Sequence, residues 1–153
     1  MIRKTLISLL VLLFIAIIVI FNIGPGYLEG GLNRVVRHVP YPVSEQARLL
    51  HLSLTAADLH SDSLLWHRDL LDRSSRGHVD LPRLRQGRVG VQVFSTVTKS
   101  PKNLNYEQNT GDSDQITAAV ILHRWPMRTW DSLFERAKYQ AQVLTETAER
   151  SEG

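Results

Sequence analysis

Residues 6–23 form an apolar run broken only by Ser8 and Asn22. At 1.5 Å per residue, a helix of about 18 residues spans roughly 27 Å, close to the thickness of bilayer hydrocarbon. A buried core helix would carry a polar face, and this run has none. Arg3 and Lys4 precede it, which predicts a cytoplasmic N-terminus and export of the rest of the chain to a periplasmic or extracellular side. A cleaved signal peptide is the other reading. The apolar region is long for one, and Asn22-Ile23-Gly24-Pro25-Gly26 offers no small-x-small cleavage site. The expectation is an uncleaved, single-pass signal anchor over residues 1–23.

Residues 24–43 carry Gly24, Pro25, Gly26, Gly30, Gly31, Pro40 and Pro42. These breakers predict a juxtamembrane linker with little regular structure, in which Arg34, Arg37 and His38 are solvated. Residues 44–153 are left for one folded domain. The chain contains no cysteine, so any metal must be held by His, Asp or Glu rather than by thiolates. Its formal net charge of +3 is mild, and the arginines are scattered apart from Arg83, Arg85 and Arg88. No nucleic-acid partner is expected.

Within the domain, Ser44 is an N-cap for a helix through His51, with Glu45 suited to the positive end of its dipole. A strand over 54–62 follows. Leu64, Leu65, Leu70 and Leu71 predict a helical face over 63–73. Asp80 caps a short helix that holds Pro82 in its first turn and ends at Gly87. Residues 89–97 are strongly β-prone. Strand, helices, strand is the unit of a parallel sheet, so the class is α/β. A polar loop over 99–112 follows the second strand. Two helices close the sequence, one over about 114–124 and one from about Thr129 to Arg150. The second carries an apolar stripe of Trp130, Leu133, Phe134, Ala137, Ala141, Leu144 and Ala148, expected to pack on the sheet.

The first strand ends in Asp58-Leu59-His60-Ser61-Asp62. With period-two alternation, Asp58, His60 and Asp62 share one face. An imidazole and a carboxylate side by side at a strand end can supply two ligands to a divalent metal. By itself His-x-Asp is more often a surface turn with a hydrogen-bonded histidine.

The neighbouring blocks add to this reading. Asp58 to Asp62, then Gly77-His-Val-Asp-Leu-Pro-Arg-Leu-Arg-Gln-Gly87, then Val89-Gly-Val-Gln-Val-Phe-Ser95 together resemble the start of the membrane (renal-type) dipeptidase family, over roughly residues 44–150. The resemblance implies the N-terminal portion of a metal-dependent hydrolase (β/α)₈ TIM barrel that hydrolyses dipeptides at two bridged zinc ions. His60 and Asp62 match the family's ligands to one metal. Asp58 is expected as a strand-end or outer-sphere partner of the ligands. The resemblance does not make His78 or Asp80 ligands. It implies a bridging glutamate, two more histidines and substrate-holding groups, for which no matching motif is present. Glu135, Glu146, Glu149 and His123 lie in the wrong context for those roles, so no catalytic residue is assigned within the chain. A barrel of this kind takes about 250 residues. The expectation is therefore the front part of a longer enzyme, inactive alone and a homodimer when complete. The alternative is a catalytically inactive, truncated single-pass protein retaining part of the barrel.

Overall fold

The computed structural model describes residues 2–151. Helix α1 covers Ile2–Leu32 and is long and apolar enough to cross a membrane. It runs nine residues beyond the predicted end of the anchor and passes through Pro25. The N-terminal part of the expected linker is thus helical, and packing explains why. Gly24 lies so close to α4 (Ile116–Leu122) that a Cβ there would meet Leu122 Cδ1 at 2.7 Å. Glu29 is buried, with Oε1 2.7 Å from Arg68 Nε and Oε2 3.5 Å from Arg76 Nη1. Gly77 N–H donates to the Asn33 carbonyl at 2.8 Å. These tertiary contacts outweigh the weak helix propensity of Gly24, Pro25, Gly26, Gly30 and Gly31. Residues 34–43 have no regular structure, as expected.

Helix α2 (Glu45–Ser53) is capped as predicted, Ser44 Oγ accepting from Ala47 N–H. Strand β1 (Ala56–Ser61) pairs in parallel with β2 (Val89–Phe94), and these two make the whole sheet among the described residues. The parallel unit read from the sequence is present, and the eight-stranded barrel is not formed by the described residues. Two irregularities interrupt the ladder. β2 has an additional residue, Gly90, opposite the step from Ala56 to Ala57, and β1 has an additional residue between Asp58 and Ser61. A Cβ on Gly90 would run into Thr55 Cγ2, so a larger residue there requires the Thr55 side chain to move.

The helix expected over 63–73 is replaced by one 3₁₀ turn, Ser63–Leu65, and an irregular segment. Leu64, Leu65 and Leu70 are still buried. The segment is held instead by Leu81 N–H donating to the Leu70 carbonyl and by Arg68 Nη1 donating to the Arg76 carbonyl. Apolar spacing reported burial correctly here, but it did not specify helix. Helix α3 (Leu81–Gln86) is capped by the Asp80 side chain, which accepts from Arg83 N–H. At its other end Gly87 stays right-handed, and the left-handed turn falls on Arg88 with φ 55°.

The core gathers Leu65, Ile116, Val120 and Trp125, with Trp66, Val97, Trp130 and Tyr139 packed around it. Helix α5 (Leu133–Arg150) is capped by Ser132, but it turns a different face inward from the apolar stripe. Arg136, Gln140 and Thr147 are buried, whereas Leu133 and Phe134 are 45% and 71% exposed. Arg136 explains the rotation. Its guanidinium donates to the Thr98, Thr129 and Trp130 carbonyls, to Thr117 Oγ1 and to Asp114 Oδ2. Gln140 adds a two-way pairing with the Val97 backbone, at 3.0 Å in each direction. Polar satisfaction therefore orients α5: Leu133, Phe134, Ala141 and Ala148 of the stripe are exposed, Ala137 and Leu144 are half-buried, and Trp130, ahead of the helix, packs on the core. Leu59, Val91 and Val93 on the sheet, and Leu49, Leu50 and Leu52 on α2, are exposed as well.

Candidate metal-binding strand end

The C-terminal ends of β1 and β2 bring four polar side chains together. His60 Nε2 lies 3.3 Å from Asp62 Oδ1. Both side chains are open to solvent, at 71% and 52% exposure. Tetrahedral bonds of about 2.05 Å place adjacent donor atoms about 3.3 Å apart, so this spacing fits joint coordination of one ion as well as a direct ion pair. Ser95 Oγ lies 3.0 Å from His60 Nδ1 and 3.5 Å from Nε2, so Nδ1 is its nearer partner. When Nδ1 donates to that hydroxyl, the Nε2 lone pair is directed toward Asp62, which is how outer-sphere partners fix a ligand's tautomer.

Of the two roles expected for Asp58, the strand-end one is seen. Its Oδ1 accepts from the His60 backbone N–H at 3.2 Å, and its Oδ2 from Gln92 Nε2 at 2.9 Å. The Gln92 amide first, and the His60 N–H after it, hold this carboxyl below its ordinary value. Asp58 thereby ties the β1 backbone to β2 just where β1 carries its additional residue. It supports the main chain beneath His60 and leaves the ring to Ser95. Sequence reading missed Ser95 in this role. The available signal was its position one residue past β2, in parallel register with the end of β1, where Ser95 N–H also donates to the Ser61 carbonyl at 2.9 Å.

Asp62 also borders a cavity of about 660 Å³ walled by Leu32 at the end of α1, by Leu65, Trp66 and Val97, and by Ile116 on α4. Among the described residues, no three His, Cys, Asp or Glu side chains gather as a metal site. His60 and Asp62 supply two donors, fewer than a closed zinc site requires. The residues set aside as ligands do lie elsewhere. Glu135 pairs with Arg128, Asp80 with Arg83, and His123 is buried against Trp66. No family model, curated protein or solved structure matches this chain.

Proposed function

We propose that this chain is the membrane-anchored front part of a metal-dependent dipeptidase, in which His60 and Asp62 hold one of two zinc ions. The observation that carries the reading is the 3.3 Å convergence of Nε2 and Oδ1 at the end of a parallel strand, backed by the sequence blocks over 58–62, 77–87 and 89–95. Active sites on parallel sheets lie at the C-terminal ends of the strands. Bound zinc would supply a water of lowered pKa and polarise the scissile carbonyl. Within this chain, His60 and Asp62 hold and orient, Ser95 sets the imidazole tautomer, and Asp58 fixes the strand end beneath them. The cavity beside Asp62 lies where a dipeptide would approach. The remaining ligands, the closed (β/α)₈ barrel and a homodimer belong to the complete enzyme.

The same proposal places Arg3 and Lys4 in the cytoplasm and the domain on the exported side. In a chain continuing into the rest of the barrel, dipeptide turnover is abolished by a chelator and by His60→Ala. Turnover that survives both treatments removes the metal assignment. A second reading, an inactive single-pass protein, draws on the absence of a third donor near His60 among the described residues. Turnover by the complete enzyme rules it out.

A further inference from the structure

Where α1 leaves its apolar run, it forms one wall of a cavity of about 250 Å³ that also touches His67, Arg76, His123 and Arg124. From the arrangement of these groups we propose that the cavity binds the phosphate of an anionic phospholipid headgroup. The reading rests on α1 spanning a bilayer, because residues 21–29 then lie at headgroup depth. Three observations support it.

The first is charge. The cavity's one acid, Glu29, is already matched by Arg68, whose side chain is only 9% exposed and whose Nε lies 2.7 Å from Oε1. Arg76 Nη1 shares that carboxylate from 3.5 Å, so with Arg124 three guanidinium groups face one acid, and forked guanidinium groups suit phosphate oxygens. Arg124 spends Nη2 on the Phe21 carbonyl at 2.9 Å, which fixes the side chain across the helix while leaving it solvent-exposed. The second is His123. It is 4% exposed, and neither of its ring nitrogens has a hydrogen-bond partner in the protein. Buried polar groups are normally satisfied, and a turn of this ring toward the cavity it lines would let an N–H donate to a phosphate oxygen. The third is space. Gly26 faces the cavity beside the Arg76 guanidinium, and a Cβ there would come within 3.1 Å of Arg76 Nη2.

The test uses the full chain in nanodiscs of equal phosphatidylglycerol and phosphatidylcholine, with retained lipid counted by native mass spectrometry. Each basic group near an anionic lipid contributes about fivefold in affinity, so the wild type should retain phosphatidylglycerol preferentially and Arg76→Gln/Arg124→Gln should lose most of that preference. Arg76→Gln alone leaves the Arg68–Glu29 pair and the Arg124–Phe21 bond in place, so it keeps the test valid if the double variant folds poorly. Its preference should fall by about fivefold. In the same sample, the ring signals of His123 should shift toward the protonated form in phosphatidylglycerol and not in pure phosphatidylcholine. Equal retention of both lipids by the wild type overturns the site. Inorganic phosphate shifting the His123 signals without any lipid preference overturns the lipid as the source. Failure of the chain to enter nanodiscs overturns the span and the lipid site together, and leaves the proposal for His60 and Asp62 standing.

Discussion

Arg124 Nη2 donates to the Phe21 carbonyl at 2.9 Å, and Phe21 is the residue four positions before Pro25. Proline has no N–H, so this carbonyl has no intrahelical donor. An arginine 103 residues away in sequence supplies one and lies 5.8 Å over the Phe21 ring. The proline that predicts a helix end is thereby accommodated within the helix. Pro25→Ala restores the backbone donor, so Arg124→Met should destabilise the α1–α4 contact less in a Pro25→Ala background than in the wild type. The expected coupling is about 1 kcal/mol, read from amide exchange over residues 26–32 in a double-mutant cycle. Additive effects would show that the bond does not compensate for the proline.

Gly77 has φ +69°, and a Cβ there would come within 2.5 Å of Arg68 Nη1. Gly77→Ala therefore combines left-handed strain with displacement of the guanidinium that holds Glu29, and should cost about 1–3 kcal/mol. Gly30→Ala is the contrasting change. Gly30 lies within α1, and a Cβ there would have nothing within 4 Å, so the substitution should stabilise by up to about 1 kcal/mol. Thermal unfolding in detergent checks both. Equal effects of the two changes would remove the special role of Gly77.

Asp114 and Arg136 form the domain's central polar contact, at 2.5 Å with Arg136 only 1% exposed. Burial pushes the Asp114 carboxyl up, but Arg136, the N–H groups of Ile116 and Ser100, and the Thr117 hydroxyl together hold it below its ordinary 3.8. Its folded value is thus depressed, so its stabilising contribution is present above 3.8 and is lost as pH falls below it. Asp114→Ala leaves a buried cation without its carboxylate and should cost about 3 kcal/mol. Chemical denaturation at neutral pH measures it, and a loss under about 1 kcal/mol would mean that the three carbonyls and the Thr117 hydroxyl suffice for Arg136.

Burial, and after it the charge of His67, push the His123 imidazole below its ordinary value of 6.5. The folded state therefore favours the neutral ring. As pH falls below 6.5 the unfolded chain takes up this proton first, so stability declines until the folded value is passed. Arg124 faces the same cavity and opposes protonation, while Glu29 is matched by Arg68 and Arg76. In phosphate-free buffer, His123→Gln should flatten the stability profile just below 6.5 relative to the wild type. An unchanged slope would assign that pH dependence to other groups.

The elements that local chemistry dictates were legible in the sequence. Ser44 and Asp80 cap their helices, the apolar run makes a helix, and the β-prone segments pair in parallel. What escaped depends on partners distant in sequence. The helix continues past Gly24 because Leu122, Arg124 and Arg68 receive it. Helix α5 rotates because carbonyls near residues 98 and 129 need Arg136. At the site, spacing singled out His60 and Asp62, and only the resemblance to the dipeptidase family gave the pair its expected role as ligands. The additional residue in β1 breaks the strict alternation used to place Asp58 with them, and sends Asp58 to the backbone instead. No one-strand pattern could show that Ser95 on the neighbouring strand would meet the His60 ring.

That contact gives the candidate metal site its sharpest test. If Ser95 Oγ fixes the His60 tautomer from 3.0 Å, Ser95→Ala should weaken zinc binding by the proposed longer protein about tenfold or more, as loss of outer-sphere partners does. Asp58→Asn keeps an oxygen for the His60 N–H and should change zinc affinity much less than Ser95→Ala. His60→Ala and Asp62→Ala remove donors outright and should exceed both. Competition with a chromogenic chelator ranks the four variants. If Asp58→Asn weakens zinc as much as His60→Ala, Asp58 is itself a ligand and the assignment of donors at this strand end is wrong. If all four bind like the wild type, the 3.3 Å approach of His60 to Asp62 is a surface ion pair and not a metal site.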